Sequence, residues 1–398
     1  KKDYNNNYQN NFIEKLTLST KRHLRSDVPI GLYLSGGVDS SMLAYISKNI
    51  LKNENIKAFN LKFKNETFNE NLMAKDTAER IRLDLKTFNL EDTDYISELE
   101  NNINEMDEPL ADLGYIAVSF ISKFVSMEGY KVVISGDGGD ELLMGYEPFQ
   151  KFWIYKILNN LPSFSKTLKY ISSLMPDSYD YMGTFHKIKI FTKAFDFPKK
   201  YANSSWICSF LPGEITKLRN ETLFNSNIHD YISNIINSAE SNDDYDQLLT
   251  QYQKHFLTNI ICSHTDKANM RYSIEARSPF LDPELFNFTN RLPKKFKINK
   301  SRSKLILRNF LKQNLKNSTF KNPKKGFTVP MAGWIKNDLK NLVLDTLSEN
   351  TISRLGLFNY NYLYKEVIKP HLENNSNNHK KIWNIFILVN WLKNNKLA

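Results

Sequence analysis

The stretch Gly31-Leu32-Tyr33-Leu34-Ser35-Gly36-Gly37-Val38-Asp39-Ser40-Ser41 decides the fold of this 398-residue chain. Its first four residues are an apolar run of strand length, and the apolar spacing from Met42 to Leu51 predicts a helix. The glycines between them let backbone N–H groups approach a phosphate, and the start of the helix adds a partial positive charge. We predict a strand, a glycine turn and a helix N-terminus that bind phosphate, although this turn alone would also suit an ordinary helix cap.

A second glycine turn follows another predicted strand. The apolar run Lys131-Val132-Val133-Ile134 ends in Ser135-Gly136-Asp137-Gly138-Gly139-Asp140-Glu141, which places three carboxylates close together. Such carboxylates repel one another, and a shared metal or cationic partner would relieve the repulsion. The alternative is an acidic loop that is simply hydrated at the surface. Asp39 in the first turn also needs a cation, and Mg²⁺ prefers one or two carboxylates together with phosphate oxygens. We therefore expect both turns to face one crevice that holds phosphate together with Mg²⁺.

Strands and helices alternate through the first 150 residues. Apolar runs at 58–63 and 85–90 predict two further strands. Helical spacing recurs at 12–25, 69–84, 93–104 and 115–128. The alternation predicts an α/β fold with a parallel, doubly wound sheet, in which ligands bind beyond the carboxyl ends of the strands. We divide the chain into a helical lead-in (1–30), a nucleotide-binding α/β core (31–150) and a mostly helical part (151–398), where helical spacing includes 245–262, 303–315 and 380–394.

Composition excludes several classes of protein. The two cysteines, Cys208 and Cys262, lie far apart, which argues against a disulfide framework and a thiolate metal site. No apolar run reaches the length of a membrane span and no signal peptide is recognisable, so we expect a cytoplasmic protein without a membrane partner. The net charge of +11 comes from lysines scattered along the chain. Because they do not cluster, we do not expect nucleic-acid binding.

The sequence resembles a known family over most of its length. Residues 35–41 are similar to the pyrophosphate-binding loop of the N-type ATP pyrophosphatases. The resemblance to the synthetase domain of glutamine-dependent asparagine synthetases extends further, through 135–141, Asp266-Lys267-Ala268-Asn269-Met270, 273–282 and Ser303-Lys304-Leu305-Ile306-Leu307-Arg308. The run Lys324-Lys325-Gly326-Phe327-Thr328-Val329-Pro330 is similar but less specific. A Walker-type sequence is absent.

The resemblance implies a five-stranded sheet of the adenine nucleotide alpha hydrolase-like (PP-loop) type and an ATP-dependent ligase. A carboxylate, expected to be that of aspartate, would attack ATP to give an acyl-adenylate and pyrophosphate, and ammonia would then displace AMP. Asp39 and Asp140 match the Mg²⁺ ligands of the family, and Lys304 matches a lysine that contacts phosphate and stabilises developing charge. The other positions that match nucleotide contacts are Leu34, Ser35, Gly36, Gly37, Ser40, Leu61, Ser135 and Gly136.

One matched position departs from the family pattern. Asp137 stands where asparagine synthetases carry glutamate, which shortens the carboxylate arm. With Ser135 and Lys304 we still assign it a catalytic part, in which the carboxylate orients ammonia or takes its proton. The departure leaves the acceptor acid open. Glu275 and Arg277 belong to a motif that we interpret as structural, a buried ion pair beside the site.

Three alternatives to aspartate amidation stay open. A relative with the same fold could amidate another acid, such as a sugar acid, or close a lactam or peptide ring. A tRNA-modifying pyrophosphatase is disfavoured because its catalytic cysteine pair is missing, and a binding-only module is disfavoured because the loop residues are intact. The glutaminase domain of the family, with its N-terminal cysteine nucleophile, is not part of this sequence. Ammonia would come from a longer protein, from solution, or from a separate glutaminase subunit.

Overall fold

A parallel sheet forms the centre of the chain's first compact unit. In this computed structural model the strands are β1 (Ile30–Tyr33), β2 (Lys57–Lys62), β3 (Leu85–Asn89), β4 (Val132–Ile134) and β5 (Glu275–Arg277), in the order β3-β2-β1-β4-β5. All four pairings are parallel, so the predicted five-stranded parallel sheet is confirmed. The structure describes residues 2–64, 70–177, 179, 183–197, 199–219, 228–241, 243–315, 326 and 328–396.

The chain divides into two compact units, each built from separate stretches. The first comprises Lys1–Thr93, Gly114–Trp153 and Ile235–Thr328, and the second comprises Asp94–Leu113, Ile154–Asn234 and Val329–Ala398. The division at residues 30 and 150 that the sequence suggested stays a prediction.

The first unit also contains helices. They are α1 (Lys2–His23), α2 (Val38–Tyr45), α3 (Asn71–Ile81), α5 (Leu113–Met127), α6 (Gly139–Leu143), α12 (Asp244–Gln251), α13 (Cys262–Met270), α14 (Pro283–Asn290), α15 (Lys294–Lys297) and α16 (Leu305–Asn314). Helix α7 (Glu147–Asn159) begins in this unit and ends in the second. Turns of π-helix extend α2 (Ile46–Ile50) and join α12 to α13 (Tyr252–Ile261), and 3-10 turns occupy Leu90–Asp92 and Pro279–Leu281.

Successive side chains of each strand point to opposite faces of the sheet, and helices cover both faces. Leu32 pairs with Ala58 and with Ile134 in register, and all three join the buried apolar cluster formed with residues of α1, α2, α3, α14 and α16. On the other face Phe124 of α5 stacks on Phe88 of β3, with ring centroids 4.7 Å apart. Helices therefore cover both faces, and the predicted doubly wound arrangement is confirmed.

Helix α1 is longer than predicted and contributes to the core. It starts at Lys2 rather than near residue 12, and Phe12 and Leu16 are fully buried in the same apolar cluster as the strands. The last turn is basic, which complements the negative end of the helix dipole.

The second unit is helical in the part that the structure describes. It contains α4 (Tyr95–Asn104), α8 (Pro162–Leu174), α9 (Thr184–Lys193), α10 (Pro212–Leu218), α11 (Ile228–Asn237, whose last residues belong to the first unit), α17 (Met331–Lys336), α18 (Lys340–Thr346), α19 (Glu349–Leu355), α20 (Tyr360–Tyr362), α21 (Lys369–Leu372) and α22 (His379–Asn394). Further 3-10 turns lie at Ala194–Asp196 and Lys199–Trp206, and a π-helical turn at Leu363–Ile368. Within the described residues, none of the helices combines the length and apolar composition needed to cross a bilayer.

Candidate active site

The two glycine turns lie against one another. Strands β1 and β4 are neighbours, so the turns that follow them emerge side by side at the carboxyl edge of the sheet. A Cβ atom on Gly136 would lie 3.3 Å from Cβ of Asp39, and one on Gly139 would lie 2.6 Å from Oδ1 of the same residue. A side chain at Gly139 would displace the Asp39 carboxylate, so the second turn forms one wall of the space around that carboxylate.

Hydrogen bonds within the first turn fix its conformation. The hydroxyls of Ser35 and Ser40 are 3.2 Å apart, and the N–H of Gly37 donates to Oγ of Ser35 at 3.2 Å. Gly36 has a φ of +84°, and a Cβ there would come within 2.5 Å of the Ala74 amide nitrogen. The helix behind the turn, α2, lacks a side-chain cap on its first N–H groups. Those N–H groups and the serine hydroxyls are donors of the kind that bind phosphate.

Lys304 brings the chemistry of a distant segment to these turns. Its side chain is 3% exposed, and its ammonium contacts Oδ2 of Asp39 and lies 2.6 Å from Oδ1 of Asp140. Burial lowers the pKa of the Lys304 ammonium, an effect that the Asp39 carboxylate opposes. Lys304 is the residue before α16, in the left-handed backbone conformation with a φ of +55°. A cation is thus fixed between the carboxylates of the two turns.

Three further residues position Lys304: Gly145 and Gln150, which the sequence did not single out, and Ser303, which lies in the matched segment. A Cβ on Gly145 would lie 1.9 Å from Oδ1 of Asp140 and 2.2 Å from Cε of Lys304. The neighbouring hydroxyl of Ser303 donates to the Gly145 carbonyl at 3.2 Å and accepts from Nε2 of Gln150 at 3.0 Å. Gly145 and Gln150 were missed because neither belongs to a motif; Gly145 only follows shortly after the acidic turn.

The donor set suits Mg²⁺ held jointly with phosphate. Within the described chain, Oδ1 of Asp39 is buried and accepts no hydrogen bond, so this oxygen has a lone pair to offer a cation. Asp140 lies across the space on the other side of the Lys304 ammonium. No cluster of three or more His, Cys, Asp or Glu side chains suited to a metal occurs in the part of the chain that the structure covers. Mg²⁺ in nucleotide sites takes one or two protein carboxylates and completes its six ligands with phosphate oxygens and water, so a third protein ligand is not needed.

Asp137 is anchored on one oxygen by two hydroxyl groups. Ser135 donates to its Oδ2 at 2.6 Å and Thr265, from α13, donates to the same oxygen at 2.9 Å. Ser135 itself is fixed by its N–H, which donates to the Arg277 carbonyl at 2.8 Å. The shorter aspartate arm is therefore oriented from both strands and helix. Thr265 was missed by sequence reasoning because it lies just before the matched segment that begins at Asp266.

Glu141 is buried beside the site without reaching the Lys304 ammonium. Burial raises its pKa to about 7, and the hydroxyl of Tyr146 donates to its Oε1. Tyr146 in turn stacks on Tyr252, with ring centroids 5.0 Å apart. The free thiol of Cys262 lies nearby, and burial raises its pKa to about 11, as expected of an unreactive cysteine.

The remaining predicted nucleotide contacts lie at the strand ends. Leu34 is buried, its N–H donates to the Phe59 carbonyl at 2.9 Å, and its carbonyl accepts from Nδ2 of Asn60 at 2.8 Å. Leu61, also buried, lies in β2 in register with Phe88 of β3. The structure brings Ser35, Gly36, Gly37, Asp39 and Ser40 together with Ser135, Gly136, Asp137, Asp140 and Lys304. Their roles toward a nucleotide stay predictions.

The segment around β5 differs in one respect from the sequence interpretation. Nε of Arg277 pairs with Oε1 of Glu275 at 2.7 Å, but the Glu275 side chain is 58% exposed, so the expected buried pair is wrong. Glu275 and Arg277 are two residues apart, so their side chains lie on the same face of β5, which is an edge strand of the sheet. Nη1 of Arg277 instead donates to the carbonyls of His23 and Arg25, and thereby fixes the end of α1 to β5. Three of the seven residues of the 324–330 run, Lys324, Lys325 and Phe327, lie outside the described residues.

Comparison with known proteins identifies the chain at the level of family. The model of the asparagine synthase family matches residues 11–393. This chain belongs to the asparagine synthase family. The match covers both units and therefore includes every residue of the candidate site.

Individual relatives are distant. The chain is 26% identical over 376 residues to "Asparagine synthetase [glutamine-hydrolyzing] 1" of Bacillus subtilis, a match that covers 94% of this chain and 57% of the relative. It is 24% identical to "Amidase chyE" of Penicillium rubens over 89% of this chain and 57% of that protein. The chain thus spans a little over half the length of the curated relatives it matches. A solved structure, the U34-tRNA thiolase NcsA from Methanococcus maripaludis, overlaps 63% of this chain and 80% of its own at 14% identity and a TM-score of 0.27.

Proposed function

We propose that this chain is an ATP-dependent, amide-forming ligase that activates a carboxylate as its acyl-adenylate and amidates it with ammonia, releasing pyrophosphate and AMP. Aspartate, giving asparagine, is the first candidate substrate. The observation that carries the proposal is the Lys304 ammonium, held between Asp39 of the first turn and Asp140 of the second. Family membership supports the same class of reaction. We place the reaction in the cytoplasm, where ATP is available.

The residues divide the electrostatic task between binding and stabilisation. The N–H groups at the start of α2 and the hydroxyls of Ser35 and Ser40 would bind the phosphates that leave as pyrophosphate. Lys304 would stabilise the charge that develops on them, because a buried ammonium acts far more strongly there than in water. Asp39 and Asp140 would hold Mg²⁺, which neutralises negative charge on ATP when it is bound. Leu34 and Leu61 would line the nucleotide through their backbone.

Asp137 is our candidate for the amidation step. A carboxylate can orient ammonia by accepting a hydrogen bond from it and can take a proton as the amide forms. Fixing Oδ2 with Ser135 and Thr265 sets the direction of the whole group. Ser135 would contribute to catalysis through this contact and through its place at the start of the second turn.

The product nucleotide tests the proposal directly. Purified protein is incubated with Mg²⁺, ATP, aspartate and an ammonium salt, and AMP and pyrophosphate are measured. Asp39→Asn should lower turnover by at least about 10²-fold while the folded state is kept, because electrostatic stabilisation of this kind contributes on that scale. Asp27→Asn, at an exposed position, is the matched control and should behave as wild type. Release of ADP and orthophosphate, or full activity of Asp39→Asn, would refute the assignment.

A second acid substrate is favoured by two observations. Asp137 stands where asparagine synthetases carry glutamate, and one relative of similar coverage is named an amidase rather than a synthetase. The same assay with sugar acids, and with amino-acid-derived acids that could close a ring, separates these reactions from aspartate amidation. Replacing ammonium by glutamine, with and without a glutaminase, tests whether a further domain or subunit supplies the nitrogen.

A further inference from the structure

Basic side chains of the second unit gather on one face of α9 and at the start of α22. Six of them are called the basic cluster here: His186, Lys189 and Lys193 of α9, and His379, Lys380 and Lys381 of α22. The three on α9 are spaced three and four residues apart, so they share a face of that helix. The three on α22 occupy its first turn, where basic residues oppose the positive end of the helix dipole. The stability of α22 therefore does not explain its basic start.

Asp177 joins the two parts of the basic cluster. Its Oδ1 pairs with Nζ of Lys189 at 2.5 Å, and its Oδ2 accepts a hydrogen bond at 2.5 Å from the N–H of Asn377, just before α22. Oδ1 of Asn377 lies 2.7 Å from Nδ1 of His379. These contacts hold the basic face of α9 close to the first turn of α22.

Carboxylates pair directly with two of the four lysines in the cluster. Lys189 pairs with Asp177, and Lys381 pairs with Oε1 of Glu214 at 2.5 Å. Each of these carboxylates also accepts a backbone N–H, which for Glu214 is that of Leu211 at 2.8 Å. Both carboxylates are therefore already engaged by a lysine and by the backbone.

The other two lysines lack a direct ion pair. Among the residues that the structure describes, no carboxylate lies within 4 Å of the ammonium of Lys193 or Lys380. Burial lowers the pKa of both groups; Lys381 lowers that of Lys193 further, while Asp112 acts on Lys380 in the opposite direction. The Lys380 side chain is nevertheless exposed to solvent. A group that is desolvated and yet reached by water lies in a concave part of the surface.

Two imidazoles lie beside these ammonium groups. Burial lowers the pKa of His186 to about 4, and Lys380 and Lys193 act in the same direction, against Asp177. Burial also lowers the pKa of His379, with Lys380 and His186 adding to the effect. Basic groups brought this close disfavour one another's charged forms, and an anion between them would reverse that effect.

We propose that the basic cluster binds the phosphate group of a small molecule, either inorganic phosphate or a phosphate monoester, between Lys193, Lys380 and the two imidazoles. A dianion would match both unpaired ammonium groups at once, whereas a single carboxylate would match one. The side chain of Asn378 makes no capping hydrogen bond to α22, so N–H groups at the start of that helix are further donors. The proposed site lies wholly in the second unit and does not depend on the reaction that the chain catalyses.

Histidine NMR tests the proposal at the site itself. The protein has seven histidines, and the signals of His186 and His379 are assigned with His186→Gln and His379→Gln. On titration with inorganic phosphate we expect both signals to shift and saturate. The proton affinity of His186 should rise by at least about 10-fold, because a nearby anion favours the charged imidazole. Phosphate that binds at the two glycine turns does not produce this rise, so the two sites are distinguished.

Lysine variants test which side chains hold the phosphate. Lys193→Gln/Lys380→Gln should weaken phosphate binding by at least about 10²-fold, because two hydrogen bonds from charged groups are lost. Lys340→Gln/Lys365→Gln is the matched control, since it removes the same charge at exposed positions of the same unit and should bind as the wild type does. Circular dichroism shows whether each variant is folded. Lys380→Gln alone, at an exposed side chain, replaces the double variant if that one does not fold.

A comparison of ligands identifies the source of the phosphate. Glycerol phosphate that binds more tightly than inorganic phosphate supports a phosphate monoester, and the reverse order supports the free ion. The proposal is overturned if neither ligand shifts the signals of His186 and His379, or if acetate shifts them at the same concentration. It is also overturned if the folded Lys193→Gln/Lys380→Gln variant binds like the wild type, or if the Lys340→Gln/Lys365→Gln control loses as much affinity.

Discussion

Replacing Gly145 by alanine should disrupt the candidate site without altering any residue assigned to the chemistry. The added Cβ would lie 1.9 Å from Oδ1 of Asp140 and 2.2 Å from Cε of Lys304. Non-bonded heavy atoms need about 3.5 Å. Both side chains would have to move by about 1.5 Å from the positions in which they contact each other.

The expected losses of stability and of rate depend on which atoms the new methyl group displaces. The atoms in conflict are the ends of two side chains, so the backbone need not shift and the steric cost stays in the range of overpacking, about 1–3 kcal/mol in the free energy of unfolding. The effect on the reaction is larger. A misplacement of about 1 Å in a catalytic group costs about 10²-fold in rate, so we expect kcat/KM for ATP to fall by at least that factor.

Both quantities can be measured on the same preparation. Urea unfolding gives the change in stability, and AMP release gives the change in rate. Gly333→Ala is the matched control, because a Cβ there meets nothing within 4 Å and the residue lies inside α17. It should keep wild-type activity and gain about 0.4–1 kcal/mol of stability. If Gly145→Ala kept the stability and the rate of the wild type, Lys304 and Asp140 could not occupy the positions described.

Two further predictions concern single residues. Thr265→Val removes one of the two hydroxyl groups that donate to the Asp137 carboxylate. It should lower kcat/KM for ammonia about 10-fold to 100-fold, since hydrogen bonds to charged groups contribute about 1.5–3 kcal/mol. An unchanged kcat/KM in ammonium titrations would exclude Thr265 from positioning the carboxylate. Burial lowers the pKa of Lys297 to about 8, so the folded state is penalised below pH 8 and the penalty disappears as the pH rises from 8 to 10.5. Lys297→Met should therefore raise the free energy of unfolding at pH 7 by up to about 3 kcal/mol over the wild type, and urea titrations near pH 10 should show a smaller gain. A gain in stability that is independent of pH would contradict this account.

The parts of the fold that could be predicted from the sequence are those with local signals. Strands β1 and β4 are apolar runs that end in glycine turns, and the adjacency of two such turns follows from the rule that ligands bind at the carboxyl edge of a parallel sheet. Strand β5 could not be found in this way. Glu275–Arg277 has three residues and no apolar run, and it forms only because β4 offers it backbone partners.

The site residues that sequence reasoning missed depend on contacts between distant segments. Gly145 belongs to no motif. A side chain is not tolerated at this position because Lys304, more than 150 residues later in the chain, occupies the space. Thr265 matters only because α13 passes beside the second turn. Hydrophobic periodicity cannot predict such contacts, because it indicates which face of a helix or strand is apolar and not which distant side chain packs against it.

Lys304 shows how far physical argument can go once the fold is known. Taken alone in the sequence it would pass for an exposed helical lysine, yet it is 3% exposed and adopts the left-handed backbone conformation. Lys52 and Lys396 share that conformation within the described chain, but both are exposed. A strained backbone costs about 1–3 kcal/mol, and burying an ammonium adds a desolvation cost that two carboxylates offset only in part. Stability alone does not explain such an arrangement, because an apolar residue would fill the space at lower cost. The placement of Lys304 is explained if its charge acts on a ligand that meets the same two carboxylates.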